Sequence, residues 1–152
     1  MERRHRREAG TVLVEAAFTL LTLLIFLFGI MEAGRFFQVQ ETLTNAAREG
    51  ARVAVAPLTQ TTTLASCGSG GPIQTAVQNY LSGASITNAT ISCDTIRYSD
   101  GAVVGTYPAA CTEPCGSRVT VSAPYQIMTI SMFSNLSMTL KGKALMRNET
   151  SP

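Results

Sequence analysis

The chain has 152 residues, which suffices for one ordinary domain or for one membrane helix and a smaller domain. Apolar residues make up 45% of it and charged residues only 14%, well below the roughly one quarter that is usual in soluble proteins. The formal net charge is +2, and no basic patch interleaved with aromatic residues is visible, which excludes nucleic acid as a partner. This composition favours a membrane segment over a conventional cytosolic domain.

The N-terminal region predicts a membrane helix with its start in the cytoplasm. A basic head, residues 1–9, precedes the apolar run 11–31. As a helix, the apolar part of this run is about 30 Å long, which matches the hydrocarbon core of a bilayer. The arginines of the head place the N-terminus in the cytoplasm and everything after residue 35 outside it. Glu15 then lies inside the span, near its cytoplasmic end.

Two simpler interpretations of this region are open. A cleaved secretory signal peptide needs small residues before its cleavage site. The nearest candidate ends at Ala33 with Met31 at the −3 position, which fits poorly. A plain signal anchor needs only that Glu15 lies close enough to the interface to extend its carboxylate toward water.

The residues around Gly10 carry a first resemblance. A basic leader, residues 1–10, ends in glycine, and Glu15 follows five residues later within an apolar run. This arrangement resembles the processing site of type IV prepilins. The resemblance implies that a prepilin peptidase cuts between Gly10 and Thr11 on the cytoplasmic side and leaves the helix in place. The family often has an aromatic residue at the first mature position or after the glutamate, whereas this chain has Thr11 and Ala16.

The spacing of Thr11 and Glu15 has a physical reading. Cleavage after Gly10 frees an ammonium group at Thr11, one helical turn from Glu15 and on the same face. The prepilin resemblance implies that amine and carboxylate pair between neighbouring subunits and register one helix against the next. Loss of the leader also leaves eight basic and eight acidic residues, so the mature chain is formally neutral.

Past the membrane, the sequence predicts that the helix continues as an amphipathic extension over residues 32–56. No proline occurs before Pro57, which gives a clear end. Ala46, Gly50 and Ala54 form a row of small residues that allows another backbone to approach closely. The second, compatible interpretation is that the stripe containing this row covers the chain's own C-terminal domain.

Two motifs carry a narrower resemblance. The run Phe28–Arg35 reads FGIMEAGR, and the run 45–52 reads NAAREGAR. Both are similar to the TadE-like family, pilin-like proteins of the tight adherence (Tad) pilus system. The similarity is strong over residues 6–56 and loose over 118–149, and it does not cover 57–117. It implies other pilin-like subunits and the pilus assembly platform as partners.

The remaining region, 57–152, predicts a small exported α+β domain. Residues 57–72 are rich in threonine, serine and glycine and predict a linker. Pro72 opens a short helix to about Leu81, with one face formed by Ile73, Ala76, Val77, Tyr80 and Leu81. Alternating apolar residues predict an antiparallel sheet packed on one face. Its strands are expected at 88–98, 117–124 and 136–147, with a possible short strand at 101–107.

The four cysteines lie on the exported side in this topology. They allow three pairings, of which we favour Cys111–Cys115 and Cys67–Cys93. Zinc is the rival interpretation, but there is no second close cysteine pair, and the one histidine lies in the leader. Non-reducing mass spectrometry distinguishes the two, because a zinc site would leave free thiols.

Catalysis finds little support in the sequence. No histidine outside the leader is present to serve a serine or cysteine nucleophile, and the exported acidic residues are sparse. We therefore expect no enzyme and no cofactor. The leading hypothesis is a minor pilin or pseudopilin held in the bacterial inner membrane. The alternative is a permanently anchored protein whose outer domain binds a partner.

Overall fold

The computed structural model describes residues 2–56, 67–109, 111, 114–128 and 137–147, with the backbone alone for residues 2–9. The described elements begin with helix α1 (Glu2–Val55) and helix α2 (Pro72–Gly83). Four strands follow, namely β1 (Thr90–Arg97), β2 (Val103–Thr106), β3 (Cys115–Gln126) and β4 (Ser137–Arg147). The α+β class predicted from the sequence is therefore confirmed. The predicted linker 57–72 is described only from Cys67 onward.

Helix α1 is a single element that contains the basic head, the apolar run and the amphipathic extension. Its backbone is helical on both sides of Gly10, so the proposed leader is not set apart as a separate structural unit. The helix ends at Val55, two residues before Pro57, which cannot continue it. Its last carbonyls lack partners within the helix. The hydroxyl of Tyr107 donates a hydrogen bond of 2.5 Å to the carbonyl oxygen of Ala54 and satisfies one of them.

The sheet is antiparallel throughout, with the strand order β2-β1-β3-β4. The long central strand β3 pairs over its length with β4, from Gly116 opposite Arg147 to Gln126 opposite Ser137. Strand β3 alternates as predicted, because Val119, Val121 and Ala123 are buried while the residues between them are partly exposed. The predicted strand at 101–107 is present as the shorter β2.

The core lies between the inner face of the sheet and a layer formed by α1 and α2. From α2 it takes Ile73, Val77 and Leu81, whereas Tyr80, predicted on the same face, is 43% exposed. Met138, the second residue of β4, is 40% exposed. Two glycines allow close contacts, since a Cβ on Gly50 would press on Val77 and one on Gly142 would overlap the α1 backbone at Leu43.

Two disulfides tie the domain together, and the pairing is the one favoured from the sequence. Cys67 bonds to Cys93 with a Cα–Cα distance of 6.0 Å, which fastens the segment before α2 to β1. Cys111 bonds to Cys115 with a Cα–Cα distance of 6.4 Å and closes a small loop at the start of β3. All four cysteines are thereby used, so the zinc alternative loses its ligands.

Candidate assembly interface along the long helix

The N-terminal half of α1 exposes its apolar side chains on every face. From Val12 to Met31 the large apolar residues are between 39% and 71% exposed. The helix is long and apolar enough to cross a membrane, with a mean hydropathy of 2.4 in its most apolar window. Within the described part of the chain, none of that window is buried. Such a surface is unfavourable in water and matches the interior of a lipid bilayer or of a helical bundle.

The polar groups of this segment are mostly satisfied within the helix. The hydroxyl of Thr19 donates to the carbonyl of Glu15, and that of Thr22 donates to the carbonyl of Phe18, each at 2.9 Å. Such bonds to the preceding turn let threonine enter an apolar environment at low cost. The side chain of Glu15 is exposed on a surface that is also lined by Val12, Ala16, Thr19, Leu20 and Leu23.

The predicted cleavage residues lie directly next to this carboxylate. Thr11 and Glu15 are four residues apart on a continuous helix, which puts them on one face about 6 Å apart along the axis. Gly10 is exposed, and a Cβ built on it meets no other atom within 4 Å. A side chain at residue 10 is therefore compatible with the fold.

A cluster at the outer end of the apolar run joins α1 to the domain. The hydroxyl of Tyr125, near the end of β3, donates a hydrogen bond of 2.5 Å to the Glu32 carboxylate. The guanidinium of Arg35 lies 3.8 Å from the same carboxylate and 6.0 Å from the centre of the Tyr125 ring. Phe36 packs edge-on against that ring at 5.9 Å between centroids. We call these four residues, Glu32, Arg35, Phe36 and Tyr125, the collar.

Burial raises the pKa of the Tyr125 hydroxyl above its ordinary value, and the hydrogen bond to Glu32 adds to the effect. Tyrosine therefore keeps its proton and stays a donor to the carboxylate. The sequence singled out Glu32 and Arg35 as parts of a motif but gave no sign of Tyr125. Their partner lies more than 90 residues away, and an isolated tyrosine in a strand does not indicate which side chain it meets.

The row Ala46, Gly50 and Ala54 is buried under the chain's own domain. All three residues are inaccessible, and Gly50 faces Val77 and Ile73 of α2 and Val119 of β3. The structure therefore agrees with the second interpretation of this row, in which the chain's own domain covers it. The backbone of β4 also lies close against α1, because a Cβ built on Gly142 would overlap the backbone at Leu43.

The opposite face of the outer half of α1 remains exposed. Phe37 is 67% exposed, and polar or charged side chains continue the same stripe toward the C-terminal end of the helix. Arg48 donates to the Asn45 side chain at 3.2 Å, and Arg52 pairs with Glu49 at 2.9 Å. Exposed pairs of this kind contribute little to stability. The stripe is therefore available to a neighbouring molecule; its members are Phe37, Gln38, Glu41, Arg48 and Arg52.

Within the described ranges, no group of three or more histidine, cysteine, aspartate or glutamate side chains is arranged to hold a metal ion. The closest charged pair on the outer sheet face, Asp94 with Arg118 at 2.6 Å, joins residues directly opposite each other on β1 and β3. Its geometry is that of a cross-strand ion pair, which stabilises the pairing of the two strands.

These observations define a class of protein: a chain whose one described membrane-length helix has an exposed apolar half and an outer half built into the core of an α+β domain. The match to a known protein family falls within helix α1. Residues 10–52 match the family model described as TadE, TadE-like protein. This match confirms the resemblance over that segment of α1.

The family match ends at residue 52, so it does not extend to the looser similarity in 118–149. No curated protein and no solved structure matches the chain significantly. The matched segment contains Glu15, the collar residues of α1 and two residues of the buried small row, Ala46 and Gly50, whereas Ala54, the sheet and both disulfides lie outside it.

Proposed function

We propose that this chain is a minor pilin or pseudopilin of a Tad-type pilus and acts in pilus assembly, in secretion or in surface adhesion. It is inserted into the bacterial inner membrane with its N-terminus in the cytoplasm and its α+β domain outside. A prepilin peptidase removes residues 1–10. Other pilin-like subunits and the assembly platform then receive the mature chain, which leaves membrane lipid for a protein fibre or for the platform itself.

The observation that carries this proposal is the complete exposure of the apolar half of α1 together with one carboxylate in it. A helix that only anchors a domain gains nothing from Glu15, since a charged side chain at the centre of a bilayer costs about 2.5–3.5 kcal/mol and less toward its edge. A helix that passes from lipid to a bundle of helices can use the same carboxylate to bind the freed amino group of a neighbour. The pairing of Thr11 with Glu15 sets the axial position of one subunit against the next.

The mature N-terminus tests the proposal most directly. We expect native protein purified from membranes to begin at Thr11, as read by Edman degradation or intact mass. Gly10→Leu should insert normally, because the fold has room for a side chain at that position. It should stay uncleaved, because the proposed peptidase cuts after a glycine. Gly29→Leu is the matched control, since a side chain at residue 29 also meets no other atom within 4 Å. This variant should be cleaved like the wild type. An intact Met1 in the native protein contradicts the proposal.

The role of the carboxylate is tested by Glu15→Ala. We expect unchanged membrane insertion and unchanged cleavage, but loss of incorporation into fibres or assembly complexes, measured by sedimentation of sheared surface material and by crosslinking. Asp100→Ala serves as the control, because Asp100 is an exposed acid between β1 and β2, outside α1. Equal incorporation of both variants argues against a registering role for Glu15.

A second candidate function is a permanent anchor whose outer domain binds a partner. It is favoured by the outer face of the sheet, where exposed polar side chains flank the Asp94–Arg118 pair. In that case the native protein retains its leader, and substitutions on this face impair binding while Glu15→Ala has no effect.

A further inference from the structure

The domain end next to the collar lies at the level where the apolar run of α1 ends. Strand β3 runs along the outer half of α1 toward its N-terminus, since Val119 faces Gly50 whereas Tyr125 contacts Glu32 and Phe36. The six steps along the strand from residue 119 to 125 cover about 20 Å, and the helix from residue 50 to about residue 34 covers about 24 Å. The strand and the helix therefore run side by side over similar lengths. Each further strand residue thus corresponds to about two residues of α1.

Strand β3 does not end at the collar. Gln126 still pairs with Ser137 of β4, and Ile127 and Met128 follow it. Strand β3 ends at Gln126, one residue past the contact of Tyr125 with Glu32, so these two residues leave the sheet next to the outer end of the apolar run 11–31. A bilayer that covers the apolar run therefore meets this end of the domain as well.

The side chains at this end suit a membrane interface. Met128 is 62% exposed and Met138, which pairs with Tyr125 across the sheet, is 40% exposed. A cleft of about 360 Å³ lies at the collar, lined by Arg35 and by the polar residues Ser85, Thr87 and Asn88 among others. Exposed apolar groups near an arginine are typical of surfaces that rest in the headgroup layer.

We infer that the membrane-proximal end of the domain, formed by Arg35, Met128 and Met138, docks on the lipid surface itself. In the membrane-resident chain, Met128 and Met138 enter the boundary between headgroups and acyl chains, and Arg35 meets lipid phosphates. The domain is thereby a second membrane contact beside α1. This inference rests on the membrane placement of α1 in the proposed function.

The absence of tryptophan from the chain makes a clean experiment possible. The full-length protein is reconstituted in vesicles of phosphatidylcholine and phosphatidylglycerol, with or without phosphatidylcholine brominated on its acyl chains. Met128→Trp carries the reporter, and Met138→Trp repeats the measurement at the facing strand. Val103→Trp is the control, because Val103 is 53% exposed on β2, paired with β1 at the far end of the sheet. Phe18→Trp reports the apolar run.

We expect blue-shifted emission from Met128→Trp and about a twofold loss of emission in brominated vesicles, because interfacial groups enter about 5–10 Å into the boundary of the acyl chains. Val103→Trp should be neither shifted nor quenched. If Phe18→Trp is quenched and neither methionine-site probe is, the docking inference is overturned while the membrane placement of α1 stands. Emission that is blue-shifted but not quenched also overturns it, because the probe then contacts protein. If Phe18→Trp is not quenched either, the membrane placement of α1 fails as well.

Discussion

At the scale of single residues, two tyrosines connect parts of the chain that are distant in sequence. Tyr125 donates to Glu32 at the end of the domain next to the apolar run, and Tyr107 donates to Ala54 at the opposite end of the same helix segment. Neither partner was predicted from the sequence. The end of α1 and the strand periods follow from local patterns, whereas a hydrogen bond between residues 53 or 93 apart depends on how the elements pack.

The Tyr125 contact predicts a measurable loss of stability. Tyr125→Phe keeps the ring against Phe36 but removes the hydroxyl that donates to a carboxylate, and hydrogen bonds to charged groups contribute about 1.5–3 kcal/mol. We expect a loss of that size in the free energy of unfolding, measured by chemical denaturation in detergent. Tyr80→Phe is the control, since Tyr80 is 43% exposed and should change stability by less than about 0.5 kcal/mol. Equal effects of both variants would contradict a stabilising collar.

Tyr107 predicts a dependence of stability on alkaline pH. Burial raises the pKa of its hydroxyl to about 12, compared with about 10 in an unfolded chain. The unfolded state therefore loses this proton first. Stability is full below pH 10 and declines as the pH rises from 10 to 12, by about 1 kcal/mol at pH 11. Denaturation of wild type and Tyr107→Phe at pH 9 and 11 tests this, because the variant should lose less than the wild type between the two.

At the scale of elements, α1 is one helix with two environments, and its glycines show the difference. Gly34 is exposed, and a Cβ there meets nothing within 4 Å. Gly50 is buried, and a Cβ there would lie 2.6 Å from a methyl carbon of Val77. The sequence predicted the small row and left open whether another subunit or the chain's own domain covers it. The spacing shows that one face of the helix carries small residues, but it does not show which surface packs on that face.

The two glycines predict opposite effects of the same substitution. Gly34→Ala should stabilise the chain by about 0.5–1 kcal/mol, because alanine favours a helix over glycine and finds open space. Gly50→Ala should destabilise it by about 1–3 kcal/mol, because the added methyl group overpacks the contact with α2. Thermal unfolding of the full-length variants in the same detergent measures both. A stabilising Gly50→Ala would show that α2 can move away freely.

At the scale of the whole molecule, the fold combines a helix of 54 residues with a four-stranded sheet. The sequence predicted this class, the strands to within a few residues and the cysteine pairs. The sequence could not predict the sheet order β2-β1-β3-β4. The alternation of apolar residues shows which side chains of a strand share a face, but it does not show which strands lie next to each other. The segment boundary predicted at Gly10 coincides with no break in the backbone, because α1 is continuous there.

The disulfides predict unequal contributions to the stability of the domain. Cys67 and Cys93 are 26 residues apart, and Cys111 and Cys115 are four apart. Closing the longer loop removes more freedom from the unfolded chain, so replacing the first pair by alanine should cost about 3–4 kcal/mol and replacing the second about 2 kcal/mol. Chemical denaturation of the two double variants compares them. A larger cost for the Cys111–Cys115 pair would contradict this order.

The burial of Leu43, Ala47 and Ala51 in the domain core has a mechanical consequence. The apolar half of α1 and its buried half form one uninterrupted helix, so a displacement of the sheet moves the apolar half with it. A sideways force on the sheet therefore changes the tilt of the apolar half. A force along the axis of α1 passes from the sheet to that half through the packed core.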